Sequence, residues 1–399
     1  YEIGVRLVGS EMCIRDSNSN NEISTLKRLM EIPSSPYYEA ALSDYIQSYL
    51  DSLQLKFKTD QFGNIICRYT NGNIKNTSPV ALIAHMDHPG IELLEQLNGH
   101  TDKYLAKPLG GVPFAVFNRT FPVSIVTSSG ERIPAISKPL KESQNSKNYS
   151  KNNLEIQILE STKLTPPVQV IFDVEEFHST NEIITARALD DLAGCSAMLS
   201  TLEYLVTNEK TANVFTIFTR AEEVGLIGAR LLAKNKTIPM NSTIISIEAS
   251  PIIPGVIQGD GPIIRTGDAL TTFDATAELI LYNSAKSLQK EDPNFVFQRH
   301  LMSGGACEAT AFAQEGYNVT GIALPLGNWH NATSNIRDPK GNIGAEYISK
   351  SDFLNAIKLI KRTTIIQNDE NIEIPAKLPE VSEEVIRRLT NSLDTNSRI

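Results

Sequence analysis

The most constraining feature of this sequence is a set of four apolar runs separated by helical patterns. The runs occupy residues 80–85, 213–219, 242–248 and 318–326. Continuous apolar runs of this length are typical of strands that are buried on both faces of a sheet. Helical patterns at 194–205, 228–234 and 350–364 alternate with them, and two more fall within 23–53. The alternation predicts an α/β fold, in which helices flank a mostly parallel or mixed sheet.

One long segment, residues 91–179, departs from this pattern. It contains β-rich pieces and a polar stretch at 141–153 that reads as a loop. We therefore predict a small β domain (91–179) inserted into a discontinuous α/β domain (18–90 and 180–370), with a C-terminal tail at 371–399. Residues 1–17 resemble translated sequencing-adapter read-through and are excluded from the fold prediction.

Composition excludes several classes of partner. A net charge of −9 and a pI near 5.3 argue against nucleic acid, because phosphate binding needs a basic face. No stretch approaches the ~20 apolar residues of a membrane helix. Outside residues 1–17, the cysteines Cys67, Cys195 and Cys307 are unclustered, which predicts reduced thiols in a cytoplasmic protein.

Potential metal ligands follow the ends of the predicted strands. The candidates are His85, Asp87, Asp190, Glu222, Glu223, Glu248 and His330. In open α/β sheets, binding groups gather at the carboxyl ends of strands, and two imidazoles with several carboxylates suit a pair of divalent ions. Taken singly, each residue also has an ordinary structural interpretation, such as a helix cap, a first-turn acid or a surface histidine.

Hydrolysis at a two-metal site needs a carboxylate that stays free of metal and moves the proton. The adjacent acids Glu222 and Glu223 suit this division, because one can bind metal while its neighbour acts as the base. Asp87 can accept the second ring N–H of His85 and so fix its tautomer.

The ordered motifs resemble those of the co-catalytic zinc peptidases, and most closely the M42 family of glutamyl (deblocking) aminopeptidases. The resemblance runs from about Ile23 to Thr364 and includes "HMDHPG", "ALDDLAG" and "RAEEVGLIGA". It implies that His85 and Glu248 bind one ion, that Glu223 and His330 bind the other, and that Asp190 bridges them. It also implies a cis peptide between Asp190 and Asp191, and Glu222 as general base.

Spacing distinguishes this family from its relatives. His85 and Asp190 are 105 positions apart (190 − 85), which leaves room for a domain, whereas Glu248 and His330 are only 82 apart (330 − 248). The M42 family resembles this arrangement, while M20 enzymes insert a domain later and M28 enzymes have little between the first two ligands. The resemblance implies a metallo-aminopeptidase that removes N-terminal residues from peptides through a hydroxide bridging two metals. It further implies zinc, or cobalt or manganese, and homo-oligomers formed through the inserted domain.

Three departures from the family's usual sequence leave other functions open. Leu192 stands where many family members have Arg, Glu248 where aminopeptidases usually have Asp, and "LGNWHN" around His330 is unusual. Glu248 favours a dipeptidase, a carboxypeptidase or an N-acyl-amino-acid deacylase on the same metal centre as the main alternative. A non-catalytic binding or assembly relative is the alternative from another class. Trp329 is expected to pack, and His88 to be a surface or structural residue.

Overall fold

The computed structural model describes residues 21–75, 77–140, 152–160, 162, 164–365 and 380–396. The adapter-like residues 1–17 and most of the predicted 141–153 loop lie outside this part of the chain. The chain divides into two compact units, Tyr1–Ile366 and Gln367–Ile399. The second unit contains a single described helix, Glu383–Asn396.

The first unit consists mainly of strands and helices in alternation. The strands are β1 Phe57–Thr59, β2 Ile65–Asn71, β3 Val80–His85, β4 Gly90–Gln96, β5 Lys103–Leu109, β6 Phe121–Val126, β7 Arg132–Pro139, β8 Leu154–Ile158, β9 Val168–Phe172, β10 Phe177–Ser179, β11 Ile183–Ala186, β12 Ala212–Thr219, β13 Thr243–Pro251, β14 Ile263–Gly267, β15 Gln298–Leu301, β16 Asn318–Gly327 and β17 Glu346–Ser349. The helices are α1 at 21–30, α2 Ala40–Ser52, α3 Leu189–Thr207, α4 Ile227–Lys234, α5 Ala275–Glu291, α6 Glu308–Ala313, α7 Lys350–Thr364 and, in the second unit, α8 Glu383–Asn396. Short 3-10 turns lie at Phe114–Phe117 and Trp329–Asn331.

The large sheet contains eleven strands in the order β1-β2-β12-β3-β13-β16-β17-β11-β10, with β14 and β15 branching from β16. Its centre, β12-β3-β13-β16, is parallel, and the outer pairs β1-β2, β2-β12, β16-β17, β17-β11 and β11-β10 are antiparallel. This confirms the predicted α/β class with a mixed sheet. The parallel centre brings the carboxyl ends of four strands to one edge.

Helices cover both faces of this sheet and bury its apolar residues. On one face, Leu199 of α3 and Ile357 of α7 belong to the largest apolar cluster. On the other, Leu232 of α4 and Phe312 of α6 pack against Ile83 of β3. Strand β3 therefore has apolar neighbours on both sides, which explains its continuous apolar sequence.

The six strands β4 to β9 close into a separate antiparallel barrel between Gly90 and Phe172. Their inward residues, such as Ile91, Val123 and Ile156, form a second apolar core. The segment 91–179 that the sequence assigns to the insert reaches further than this barrel. Its last residues, Phe177–Ser179, form β10, which pairs with β11 in the large sheet.

The segment before α2 contacts the turn after β3. Helix α2 begins at Ala40 without a side-chain cap, and the Ser34 hydroxyl donates to the Met86 carbonyl at 2.6 Å. The thiols Cys67, Cys195 and Cys307 are free and buried. Among the described residues, no helix has the length and apolarity needed to cross a bilayer. The cytoplasmic location stays a prediction.

Candidate metal centre

His85 is the last residue of β3, and its ring is almost completely buried. Its Nδ1 lies 2.8 Å from the backbone carbonyl of Asp87. A carbonyl can only accept, so Nδ1 carries the proton and Nε2 presents its lone pair to the sheet edge. The expectation that the Asp87 carboxylate would hold this ring is wrong. That carboxylate is 3.9 Å away, and the turn after β3 brings the main-chain oxygen closer instead.

The Asp87 carboxylate has a different set of partners. Its two oxygens accept the backbone N–H groups of Glu222, at 2.9 Å, and of Glu223, at 3.1 Å. These residues follow β12, the parallel neighbour of β3. Asp87 therefore fixes the turn that carries both glutamates.

Asp190 lies at the start of α3, between the two histidines. Its Oδ1 is 3.4 Å from His85 Nε2, and its Oδ2 is 3.6 Å from His330 Nε2. The peptide bond that joins it to Asp191 is cis, as the resemblance implied. Asp191 turns away and accepts the backbone N–H of Gly194 at 3.2 Å, within the first turn of α3.

The remaining predicted residues complete two groups around Asp190. Glu248, from β13, and Glu222 have oxygens 4.0 and 3.9 Å from His85 Nε2. Glu223 Oε1 lies 3.3 Å from His330 Nε2. His85, Glu222 and Glu248 form one candidate metal-binding group, and Asp190, Glu223 and His330 form the other. The structure thus brings together all seven residues that the sequence singled out, with Asp87 supporting the others.

The donor set fits a pair of cations. Oxygens Asp190 Oδ1 and Glu223 Oε1 are buried without a hydrogen-bond partner, although buried acceptors are nearly always paired. Both face the histidine Nε2 atoms. Imidazole nitrogen and carboxylate oxygen are the ligands that Zn²⁺ and similar borderline ions take. Divalent ions would satisfy these oxygens and the crowded negative charge together.

The charges of the cluster also favour bound cations. Burial raises the pKa of Glu248 to about 7, against the opposing charges of His85 and Arg265. Burial lowers the pKa of His85, but the nearby carboxylates, Glu222 foremost, outweigh it and raise the pKa well above the usual value. The carboxylates therefore favour positive charge at this position, which bound cations would supply.

Comparison with known proteins bears on this site. A family model described as M42 glutamyl aminopeptidase matches residues 63–340. The chain belongs to the M42 family. It is therefore a peptide hydrolase, and M42 peptidases are metal-dependent.

Relatives of this M42 peptidase support the assignment. The glutamyl aminopeptidase of Lactococcus lactis subsp. cremoris is 24% identical over 368 residues, covering 83% of this chain and 94% of that protein. Among solved structures, the Pyrococcus horikoshii TET1 peptidase, described as assembling into a tetrahedron or a large octahedral shell, matches with a TM-score of 0.69 and 22% identity over 87% of this chain and 100% of its own. An aminopeptidase from Desulfurococcus kamchatkensis matches with a TM-score of 0.70 and 22% identity over 91% and 99%. At this identity the two structures establish the shared fold.

Two buried residues of this M42 peptidase that hold the cluster were not recognised in the sequence as parts of the site. Glu346, the first residue of β17, accepts the backbone N–H groups of Asp190 at 3.1 Å and His330 at 2.9 Å. His88 contacts the Asp190 carbonyl at 2.7 Å and Asn331 Oδ1 at 3.0 Å. His88 stands three residues after His85 in the same motif, which was its only sequence signal. Glu346 had none.

Trp329 does more than pack. Its indole N–H donates to Asp190 Oδ2 at 3.0 Å, and its ring lies against the ring of His330, with centroids 3.9 Å apart. It also lines a cavity of about 260 Å³ that opens onto both metal-binding groups. The unusual sequence around His330 thus places a hydrogen-bond donor on the Asp190 carboxylate.

Arg265 lines the same cavity and was also missed. It belongs to β14, is 2% exposed and has an Nε without a hydrogen-bond partner. Its Nη1 donates to the Ser250 hydroxyl at 3.5 Å. Within the described part of the chain, no carboxylate lies within 4.0 Å of its guanidinium nitrogens. A buried cation without a paired anion is unusual, because burial of charge is costly unless it is compensated.

Proposed function

We propose that this M42 peptidase removes N-terminal residues from peptides with two divalent ions, most simply Zn²⁺, held by His85, Glu248, Asp190, Glu223 and His330. The observation that carries the proposal is the position of Asp190, which directs one carboxylate oxygen towards each histidine. A carboxylate in this position can bridge two ions. When bound, such ions polarise the substrate carbonyl and lower the pKa of water.

We assign the proton transfers to Glu222. Its side chain is 10% exposed, so it reaches the cavity, and its backbone is fixed by Asp87. In hydrolysis, water adds its oxygen to the carbonyl carbon and the amide nitrogen must gain a proton as the C–N bond breaks. Glu222 takes the proton from the attacking water and passes it to the leaving amine.

Replacement of Glu222 tests this role. Since removal of a general base typically costs roughly 10²- to 10⁴-fold in rate, E222Q should lower kcat by that factor while two ions per chain remain bound. Peptidase assays combined with elemental analysis measure both quantities. The neighbouring E223Q is the matched control, and it should lose bound metal as well as activity. Full activity in metal-loaded E222Q would refute the assignment.

We further propose that the substrate carries a carboxylate that pairs with Arg265. Gly321 leaves room for this side chain, since a Cβ there would lie 3.1 Å from Arg265 Cδ. The related Lactococcus lactis protein is named a glutamyl aminopeptidase. An N-terminal Glu or Asp side chain is therefore the preferred partner for the guanidinium. A free C-terminal carboxylate, as in a dipeptidase, carboxypeptidase or deacylase substrate, would use the same contact, and Glu248 keeps that alternative open.

Substrates that differ in one carboxylate separate these possibilities. A hydrogen bond to a charged group contributes about 1.5–3 kcal/mol, so R265L should lower kcat/KM for a glutamyl anilide roughly 10- to 100-fold and leave a leucyl anilide nearly unchanged. The control is R299L on the neighbouring strand β15, which removes an exposed arginine that pairs with Glu278 of helix α5. Cleavage of N-acyl amino acids, with no cleavage of either anilide, would establish the alternative reaction.

Self-association through the barrel is also proposed. The Pyrococcus horikoshii relative is described as a large shell assembly. In this chain the barrel carries an exposed Leu159, 57% accessible, at the end of β8. Light scattering of the full chain and of L159D measures whether this face supports an oligomer.

A further inference from the structure

The barrel reaches the metal centre through one corner, Gly110-Gly111, between β5 and the short turn Phe114–Phe117. The Gly111 carbonyl lies 2.7 Å from His330 Nδ1. Because the carbonyl can only accept, this contact places the proton on Nδ1. Nε2 is then left with its lone pair directed towards Glu223 and Asp190, as a metal ligand requires.

The two glycines are necessary for this approach. A Cβ at Gly110 would lie 3.0 Å from the Cβ of Glu223, and a Cβ at Gly111 would lie 2.8 Å from Nδ1 of His330. Contacts below 3.0 Å force one side to move. The corner therefore fits closely against two of the three residues of the group Asp190, Glu223 and His330.

A second support acts on the main chain of the same group. The carboxylate of Glu346 is fully buried and accepts N–H groups from both His330 and Asp190. The loop that carries His330 is strained, since Asn328, His330 and Asn331 have φ of +52°, +54° and +63°. Such conformations persist only where surrounding contacts hold them.

The other group is supported from within the large sheet. His85 is oriented by the Asp87 carbonyl, and Glu248 Oε1 accepts the Ser246 hydroxyl at 3.2 Å on the same strand. The two halves of the centre thus depend on different parts of the molecule. One half is built on β3 and β13, and the other requires the barrel corner.

We propose that the barrel completes the second half of the metal centre, with Gly111 and Glu346 as positioning residues for His330. The fit of the Gly110-Gly111 corner sets the affinity of the ion bound by Asp190, Glu223 and His330, and leaves the ion near His85 largely unaffected. This inference rests on the two-metal site of the proposed function. It adds that the inserted domain takes part in metal binding without supplying a ligand.

The test is a calorimetric titration of chelator-treated, full-length protein with Co²⁺ alone. Changing a group that orients a metal ligand typically costs 10- to 100-fold in affinity. The backbone φ of Gly111 is accessible to alanine. G111A should therefore lower one of the two Co²⁺ affinities by about that factor and the other by less than about threefold. E346Q, which keeps the size but loses one accepting oxygen, should have the same selective effect. The control is S128A, at an exposed residue in the turn between β6 and β7 of the same barrel, and both affinities should be unchanged.

The outcomes separate the inference from the function on which it rests. Wild-type protein that binds fewer than two Co²⁺ would overturn the two-metal site itself. If the wild type binds two ions, and G111A and E346Q either lower both affinities equally or lower neither, only the role of the barrel is overturned. If thermal unfolding measurements show that G111A is not folded, E346Q decides the question, because Glu346 lies in the large sheet and not in the barrel.

Discussion

Glu308 is a buried acid behind the metal centre that the proposed reaction does not use. One of its oxygens accepts the Thr219 hydroxyl, while Oε2 has no partner. Burial raises its pKa to about 8, with His85 and Thr219 acting against this shift and Glu248 adding to it. In the absence of metal, therefore, Glu308 is mostly protonated near pH 7.

This raised pKa makes stability depend on pH. An unfolded glutamate has a pKa near 4.3, so the folded state binds an extra proton between that value and about 8. The free energy of unfolding contributed by this proton is full below that window and is lost as pH rises through it. Relative to wild type, metal-free E308Q should gain about 3 kcal/mol between pH 5 and pH 8. Urea unfolding at both pH values measures the difference, and E315Q, at an exposed acid, should show none.

At this scale the sequence indicates candidate metal ligands more readily than the residues that support them. His85, Asp190 and His330 were recognisable because metal chemistry restricts residue type and the motifs are local. Glu346, Arg265 and Gly111 were not, because each acts on a partner far away in the chain. Nothing in the sequence around Gly111 indicates that its carbonyl meets a ring 219 positions later.

Among the secondary-structure elements, the turn after β3 and the turn after β12 depend on each other. They are joined by the Asp87 carboxylate, which accepts one N–H from each of Glu222 and Glu223. Asp87 is fully buried, so both bonds are made to a carboxylate that is shielded from water. The placement of the proposed base thus depends on a residue of another strand.

Substitution of Asp87 by Asn should expose this dependence. The amide keeps one accepting oxygen and leaves one buried N–H unpaired, which costs about 1–3 kcal/mol of unfolding free energy. D87N should also lower kcat more than it raises KM, since it displaces Glu222. Denaturant unfolding and steady-state kinetics check both effects. In the control D274N, asparagine should cap α5 as well as aspartate does; an equal loss there would point to a general effect of charge removal.

Elements with strong local patterns were predicted well, and weaker ones were not. Strand β3 and helix α7 have the predicted bounds, because one is a continuous apolar run and the other a clear amphipathic stripe. No element was predicted for α5, although Asp274 caps it. The short strands β10, β11 and β17 have three or four residues each, and only their pairing in the sheet stabilises them.

At the scale of the whole molecule, the centre joins segments that are distant in sequence. Its residues come from the ends of β3, β12 and β13, the start of α3 and the loop after β16. Like charges gathered from five places repel one another when no cation is present. The fold around the site is therefore expected to depend on bound metal.

Chelation should lower the unfolding temperature. Ligands that bind only the folded state stabilise it by about 2.7 kcal/mol for each site at a hundredfold excess over Kd. Differential scanning calorimetry of EDTA-treated protein should show a lower Tm that rises with added Zn²⁺. The double variant E223Q with H330Q should respond less, because one group is then lost. An identical Tm with and without chelator would contradict the proposed binding of metal.

The order of residues along the chain determines when each part of the centre becomes available during synthesis. His85, Asp190, Glu222 and Glu248 have all left the ribosome well before His330 does, and Glu346 emerges later still. The half of the centre that rests on β3 and β13 can assemble on the nascent chain, while the half that uses the barrel corner waits for β16 and β17. A chain that ends between β13 and β16 lacks His330, so we expect it not to bind both of the proposed ions.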